Sequence, residues 1–234
     1  MAERARAVLT RDDVASYAIA LAPLGLDAVA MPVTRTAPPA DPHALALALV
    51  DDYAAIVIAS ARAAAAVAAA GTPHGEVWAV GPATLRALAD AGIGATYPSG
   101  VHDGESLAQA IAASRELAGK RVLVPRSETG RPEAAAILRA AGADVVEIVA
   151  YRTVATPIDA NALRDAAVCV VFAPSQVAAL ASHVRLADAN IPFVAIGETT
   201  AAALRASGVI VAVADEPTPE GIARAVSAVY PSRT

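Results

Sequence analysis

Six short stretches hold most of the residues in this chain that could do chemistry. They are Thr10-Arg11, Ser60-Ala61-Arg62, Gly81-Pro82-Ala83-Thr84, Arg126-Ser127-Glu128-Thr129-Gly130-Arg131, Pro174-Ser175-Gln176 and Gly197-Glu198-Thr199-Thr200. Each follows an apolar run and precedes a segment with helical spacing, so each marks a strand giving way to a helix. In an open parallel sheet this is where ligands bind, because the helix N-terminus presents free N–H groups and a positive dipole end. Hydroxyls add hydrogen bonds there, and arginine adds a planar fork that matches a carboxylate. The set suits the holding of an anion, above all one with many carboxylates. Taken singly, Ser60, Ser175 and Thr199 also stand where a helix cap would stand.

Other kinds of chemistry have no such support. Gly92-Ile93-Gly94 ends a helical segment and lacks the third glycine of a dinucleotide fingerprint, and no phosphate-loop motif exists. No Gly-x-Ser-x-Gly elbow or Ser/His/Asp arrangement is visible. Acidic residues scatter mainly over expected solvent faces, so no carboxylate pair stands out for acid–base work. His43, His74, His102 and His183 lack ligand spacing, which argues against a metal. Cys169, the single cysteine, sits in an apolar strand pattern and reads as a buried residue.

The elements that position these loops come in two copies about 115 residues apart. Arg6-Ala7-Val8-Leu9-Thr10-Arg11 returns as Lys120-Arg121-Val122-Leu123-Val124-Pro125-Arg126. Ala55-Ile56-Val57-Ile58-Ala59-Ser60 returns as Val168-Cys169-Val170-Val171-Phe172-Ala173-Pro174-Ser175. Val80-Gly81-Pro82-Ala83-Thr84 returns as Ile196-Gly197-Glu198-Thr199-Thr200, with Gly92 and Gly208 stopping the helices that follow. Strands alternate with helices, and the strands are apolar on both faces, which predicts α/β architecture with parallel sheets covered on both sides. The expectation is two similar parallel-sheet α/β domains of the flavodoxin-like or Rossmann-like kind, with a ligand in the cleft between them.

Thr34 to Pro39 and Arg152 to Pro157 read as extended linkers, since proline and threonine break the pattern. Because they flank the middle of the chain, an interleaved arrangement is favoured. Residues 1–34 with 155–234 would form one domain and 35–154 the other, with linkers near 32–38 and 151–157 forming a two-stranded hinge.

The chain has 234 residues, a net charge of −5 and 3% aromatics, a balance that argues against nucleic acid. Its 56% hydrophobic content is largely alanine, and the apolar stretch from Tyr53 to Gly71 is broken by Ser60 and Arg62, so no membrane span is expected. Met1 to Arg6 leads into a short strand rather than an apolar signal region, which predicts a cytoplasmic protein. Lys120 is the only lysine, so nearly all positive charge is guanidinium.

Over essentially its whole length the chain resembles the uroporphyrinogen-III synthase family. The resemblance rests on Leu9-Thr10-Arg11, Arg126 through Gly130-Arg131, Tyr151-Arg152-Thr153, Phe172-Ala173-Pro174-Ser175, Ile196 through Leu204, and Pro217-Thr218-Pro219-Glu220, in that order and spacing. It implies two α/β domains joined by a two-stranded linker, the first built from both chain ends. It also implies a cofactor-free reaction on hydroxymethylbilane, a linear tetrapyrrole with eight carboxylates. Such an enzyme expels the terminal hydroxyl as water, inverts the last ring through a spiro intermediate, and closes the macrocycle. It would act as a monomer, with transient contact with the preceding pathway enzyme.

By the same resemblance Tyr151 assists departure of the hydroxyl. Ser60, Thr84, Ser175, Thr199 and Thr200 supply cleft hydroxyls and loop amides, and Arg62 and Arg131 supply carboxylate contacts. Ala59 and Ala173 stand where family members often carry Thr or Ser, so hydrogen bonds assigned there are lost. The rival reading is a non-catalytic two-lobed binding or regulatory module for an anionic metabolite. Tyr151 and the paired Gly-x-x-Thr loops favour the enzyme.

Overall fold

The structure is a computed structural model that describes residues 4–230. Met1 to Glu3, on which the reading of the amino-terminal segment partly rests, and the last four residues lie outside the described residues. The chain divides into two compact units, Met1–Arg35 with Val154–Thr234, and Thr36–Thr153.

The chain opens with β1 (Ala5–Leu9), α1 (Ala15–Leu21) and β2 (Leu26–Ala30), then enters the second unit through β3 (Thr34–Ala37). There follow α2 (Ala44–Ala48), β4 (Asp52–Ile58), α3 (Ala61–Ala70), β5 (His74–Ala79), α4 (Gly81–Asp90), α5 (Gly104–Ser114), β6 (Arg121–Ser127), α6 (Glu133–Ala140) and β7 (Asp144–Ala155). The chain returns to the first unit with α7 (Ala160–Arg164), β8 (Val168–Val171), α8 (Pro174–Ala181), β9 (Phe193–Ala195), α9 (Glu198–Ala206), β10 (Val211–Val213) and α10 (Pro219–Val229).

The first unit's sheet runs β10-β9-β8-β1-β2 and the second's runs β3-β7-β6-β4-β5. The pairings of β1 with β2 and β8, of β9 with β8 and β10, and of β6 with β4 and β7 are all parallel. Side chains alternate across each strand, and both faces are buried. In the first unit Val8, Cys169, Val171 and Phe193 fill one face, and Ala7, Leu9, Val168 and Val170 the other. In the second, Ile56, Ile58 and Leu123 oppose Ala55, Val57 and Val122. This two-sided burial is why the strands read as unbroken apolar runs rather than alternating ones.

The repeat is wired in an exchanged way. Ala7 stands opposite Val168 in the first sheet, and the matching residues Val122 and Ala55 stand opposite each other in the second. Strands β1 and β2 come from the first copy, and their neighbours β8, β9 and β10 from the second. In the other sheet β4 and β5 come from the first copy, and β6 and β7 from the second. A single bridge between Trp78 and Thr96 stands where β9 pairs with β10. Gly92 and Gly208 end their helices in the left-handed region, with φ of 73° and 79°, where a side chain would be strained.

The two segments read as extended linkers are strand: Thr34–Ala37 forms β3 beside β7, and β7 runs from Asp144 through Ala155. Helix α5 ends at Ser114, because Arg115 turns to extended backbone. Its guanidinium stacks 4.7 Å from the Trp78 ring centroid and donates to the Ala54 carbonyl at 3.1 Å. Helix α6 begins at Glu133, with Pro132 as its N-cap, which leaves Arg131 in the preceding loop. Among the described residues no helix is long and apolar enough to cross a membrane.

Burial pushes the Cys169 thiol up to about 12 from its ordinary 9.0. The unfolded thiol ionises from about pH 9 while the folded one keeps its proton, so folding stability is lost as pH rises from 9 toward 12. The slope is at most about 1.4 kcal/mol per pH unit. Chemical denaturation at stepped alkaline pH checks this, and Cys169→Ala should remove that part of the slope.

Candidate functional site

Residues at the carboxyl ends of β4 and β6 and from the middle of β7 meet around a cavity of about 310 Å³ in the second unit. It is lined by Ser60, Arg126, Ser127, Arg131 and Tyr151 among others. Ser60 is the N-cap of α3, and its Oγ accepts from the Ala63 N–H at 3.1 Å. The same oxygen lies 3.2 Å from the phenol oxygen of Tyr151, which is 9% exposed. Tyr151 reaches this place because β7 and β6 slip register between Arg126 and Ser127, leaving Ser127 opposite Tyr151. The Glu128 N–H then donates to the Tyr151 carbonyl at 3.0 Å, tying the loop after β6 to β7.

The cavity's charges are less simple than a cationic cradle. Glu147 of β7 sits 2.7 Å from Arg126 Nε and accepts from Arg139 Nη2 at 2.7 Å. Burial works against its ionisation, but Arg139 and Arg126 outweigh that and hold its carboxyl below the usual value. Arg126 also donates to the Ser127 and Glu128 carbonyls at 3.0 and 3.3 Å. Its charge is therefore paired within the unit, although its buried Nε meets Glu147 as an ion pair without forming a hydrogen bond, and Glu147 is an acidic residue that is not on a solvent face. It is an exception among acids that mainly lie on solvent faces. An acid inside the apolar run Val145 to Ala150 was the available signal. Asp103, Glu105 and Glu133 stand near Arg131 and His102 around the same cavity. Asp103 caps α5, and hydrogen bonds from the Ser106 backbone and hydroxyl lower its pKa.

Two other expected residues of this unit lie elsewhere. Arg62 borders a second depression of about 480 Å³ with Pro38, Pro39, Leu45 and Ala66, which also reaches Tyr151. Thr84 is buried in the first turn of α4.

In the first unit the expected residues do different jobs. Thr10 and Gln176 are both buried and bonded to each other. The Thr10 hydroxyl lies 2.7 Å from Gln176 Oε1, Gln176 Nε2 donates to the Thr10 carbonyl at 2.8 Å, and Phe172 N–H donates to Gln176 Oε1 at 2.9 Å. These groups clamp β1 to the turn after β8. Arg11 lies over the Tyr17 and Phe172 rings, 4.9 and 5.1 Å from their centroids, and donates to the Tyr17 hydroxyl at 2.9 Å.

Pro174 and Ser175 occupy the first turn of α8, whose N-cap is Ala173 without a side-chain bond. Gly197 is the N-cap of α9, again without one, followed by exposed Thr199 and buried Thr200. Ser175 and Thr199 are thus not caps; Pro174 has no N–H and the Gln176 N–H donates to the Ala173 carbonyl at 3.0 Å, so α8 offers an anion the Ser175 N–H and α9 offers its first turn.

A pair of α/β units, each with a parallel-dominated five-stranded sheet and with hydroxyls and arginines at its strand ends, defines a class of two-unit α/β proteins. Within that class the chain belongs to the uroporphyrinogen-III synthase family: the family model described as Uroporphyrinogen-III synthase HemD matches residues 15–224. A curated relative, the uroporphyrinogen-III synthase of Synechococcus elongatus, is 32% identical over 148 residues, 58% of this chain and 55% of the relative. The chain thus spans about half the length of the curated relative it matches. Uroporphyrinogen-III synthetase from Helicobacter pylori superposes with a TM-score of 0.67 at 16% identity, covering 96% of this chain and 99% of the other. A mutant uroporphyrinogen III synthase from the extremely thermophilic bacterium Thermus thermophilus gives 0.63 at 19% identity, covering 96% and 99%. These structures share the fold.

The ion pairs of Glu147 make a stability prediction. A carboxyl held below its ordinary 4.5 stabilises the fold above that pH, and the contribution fades as pH falls through the folded value. Glu147→Gln should cost about 1–3 kcal/mol at pH 7, since Arg126 and Arg139 lose their partner. The difference from the unsubstituted protein should shrink as pH falls below that ordinary value, as read by urea denaturation.

Proposed function

We propose that the chain is a uroporphyrinogen-III synthase, converting hydroxymethylbilane to uroporphyrinogen III without a cofactor. The observation that carries this reading is the Ser60–Tyr151 hydroxyl pair, 3.2 Å apart beside the 310 Å³ cavity, in a chain of this family. The cavity suits one terminal pyrrole ring with its side chains.

The chemistry follows from the hydroxyls. When Ser60 gives its hydrogen bond to the Tyr151 oxygen, the phenol proton is free to be donated to the substrate's terminal hydroxyl. The C–O bond breaks, the oxygen leaves as water, and positive charge spreads over the terminal pyrrole. The phenolate left behind, held by the Ser60 hydrogen bond, regains a proton from solvent. Unassisted, the same chain closes without inverting its last ring, so the enzyme's task is to hold the cation in the less accessible geometry. Open helix N-termini at Ser175 and at Thr199-Thr200, with Arg131 and Arg62, are the candidates for gripping carboxylates. The passages near Arg35 and Val154 serve in this reading as a hinge.

Supplied with hydroxymethylbilane, the protein should give mainly the type III isomer. A product ratio no different from buffer would remove the enzyme reading and leave a binding module. Tyr151→Phe should lower kcat by on the order of 10²-fold with the fold unchanged by circular dichroism. Wild-type turnover in that variant would take Tyr151 out of the mechanism.

A further inference from the structure

The repeat places an arginine at the same point of each sheet, Arg11 after β1 and Arg126 at the end of β6. Their surroundings differ in one respect that matters for binding. In the second sheet Val124 stands opposite Glu147, whose carboxylate engages Arg126. In the first sheet the matching residue Leu9 stands opposite Ala30, which has no charge to offer. The second partner of Glu147 is missing as well. Arg139 lies three residues before the stop glycine Gly142, and the residue three before Gly25 is Ala22.

Arg11 is therefore a guanidinium without an acidic partner among the described residues. Asp12 and Asp13 follow it in sequence but are exposed, and Asp13 accepts from the Ala15 N–H instead. Of its five N–H groups, one donates to the Tyr17 hydroxyl. Its Nε is buried with no acceptor, as is that of Arg126, but only the latter has a carboxylate beside it, Glu147 at 2.7 Å. Two aromatic rings 5.2 Å apart hold the side chain in place, so little rotamer freedom remains to be lost on binding. A fixed, half-buried and uncompensated guanidinium at a strand's carboxyl end is a preformed receptor for a carboxylate.

We infer that Arg11 is a carboxylate-binding residue of the first unit, and that Glu147 silences the matching position in the second by occupying Arg126. The carboxylate would be one borne by the substrate, a step that rests on the reading under Proposed function. Binding of a carboxylate at Arg11 itself does not depend on that reading.

The test uses the full chain labelled with 15N-arginine and titrated with benzenehexacarboxylate, following the Nε–Hε resonances. The Arg11 signal should shift with saturation, and the Arg126 signal should stay in place. Arg11→Met should raise the apparent dissociation constant about tenfold, and Arg11→Lys should recover only part of the loss because the fork is gone. Glu147→Gln should bring Arg126 into the titration, a gain of response that loss of folding cannot imitate. With hydroxymethylbilane, Arg11→Met should raise KM with kcat and product ratio nearly unchanged. Absent synthase activity with a saturable Arg11 shift would leave the site standing and remove only the substrate. An unmoved Arg11 signal, or one matched by Arg126 in the unsubstituted protein, would overturn the inference.

Discussion

A parallel sheet covered by helices on both faces can meet a ligand only at its strand ends. Everything else about this protein follows from that restriction. The interior admits polar groups only where they are paired, as Thr10 and Gln176 are, so most polar residues collect in turns, and half of those turns lie at the carboxyl ends of strands. There the helices that follow turn their unpaired N–H groups outward. The amino-terminal edges carry polar side chains too, but Arg115 and Arg121 at that end are stacked on Trp78 and Tyr53 and paired with acids. One edge is therefore neutral and sealed, and the other is left with donors to spare.

The distribution of those donors is uneven. Thr10 and Gln176 look like ligand contacts by position, yet they spend their hydrogen bonds on each other and on the backbone. They act as a clasp that fixes the loop on which Arg11 stands. Arg126 is similarly consumed by Glu147 and two carbonyls, which shapes the loop beside Tyr151. Among the groups that remain open are Arg11, Arg62 and Arg131, the Ser175 N–H, the first turn of α9, and the hydroxyl pair of Ser60 and Tyr151.

Much of this was legible before any coordinates. Apolar runs bounded by glycine located nearly every strand, because a strand buried on both faces must be apolar throughout. Gly92 and Gly208 marked helix stops that only a residue without Cβ accepts readily. What the sequence could not tell was whether a given polar side chain faces a ligand or a neighbour. Thr10 and Gln176 are 166 positions apart, and no local pattern links them. Glu147 escaped notice because its partners, Arg126 and Arg139, come from a different strand and a helix.

The exchanged wiring of the two copies has a consequence for how the chain acquires its shape. The second unit is one uninterrupted segment, so it can condense as soon as β7 has been made. The first cannot: β1 must wait for β8, and the Thr10–Gln176 clasp closes a loop of the whole intervening chain. During synthesis β1 and β2 emerge first and stay half-paired, with an apolar edge open, until more than half the polypeptide has followed. Meanwhile the finished middle segment brings the two waiting ends closer than a loose chain of that length would. A protein wired this way matures from its centre outward, and its earliest residues are among the last to find their partners.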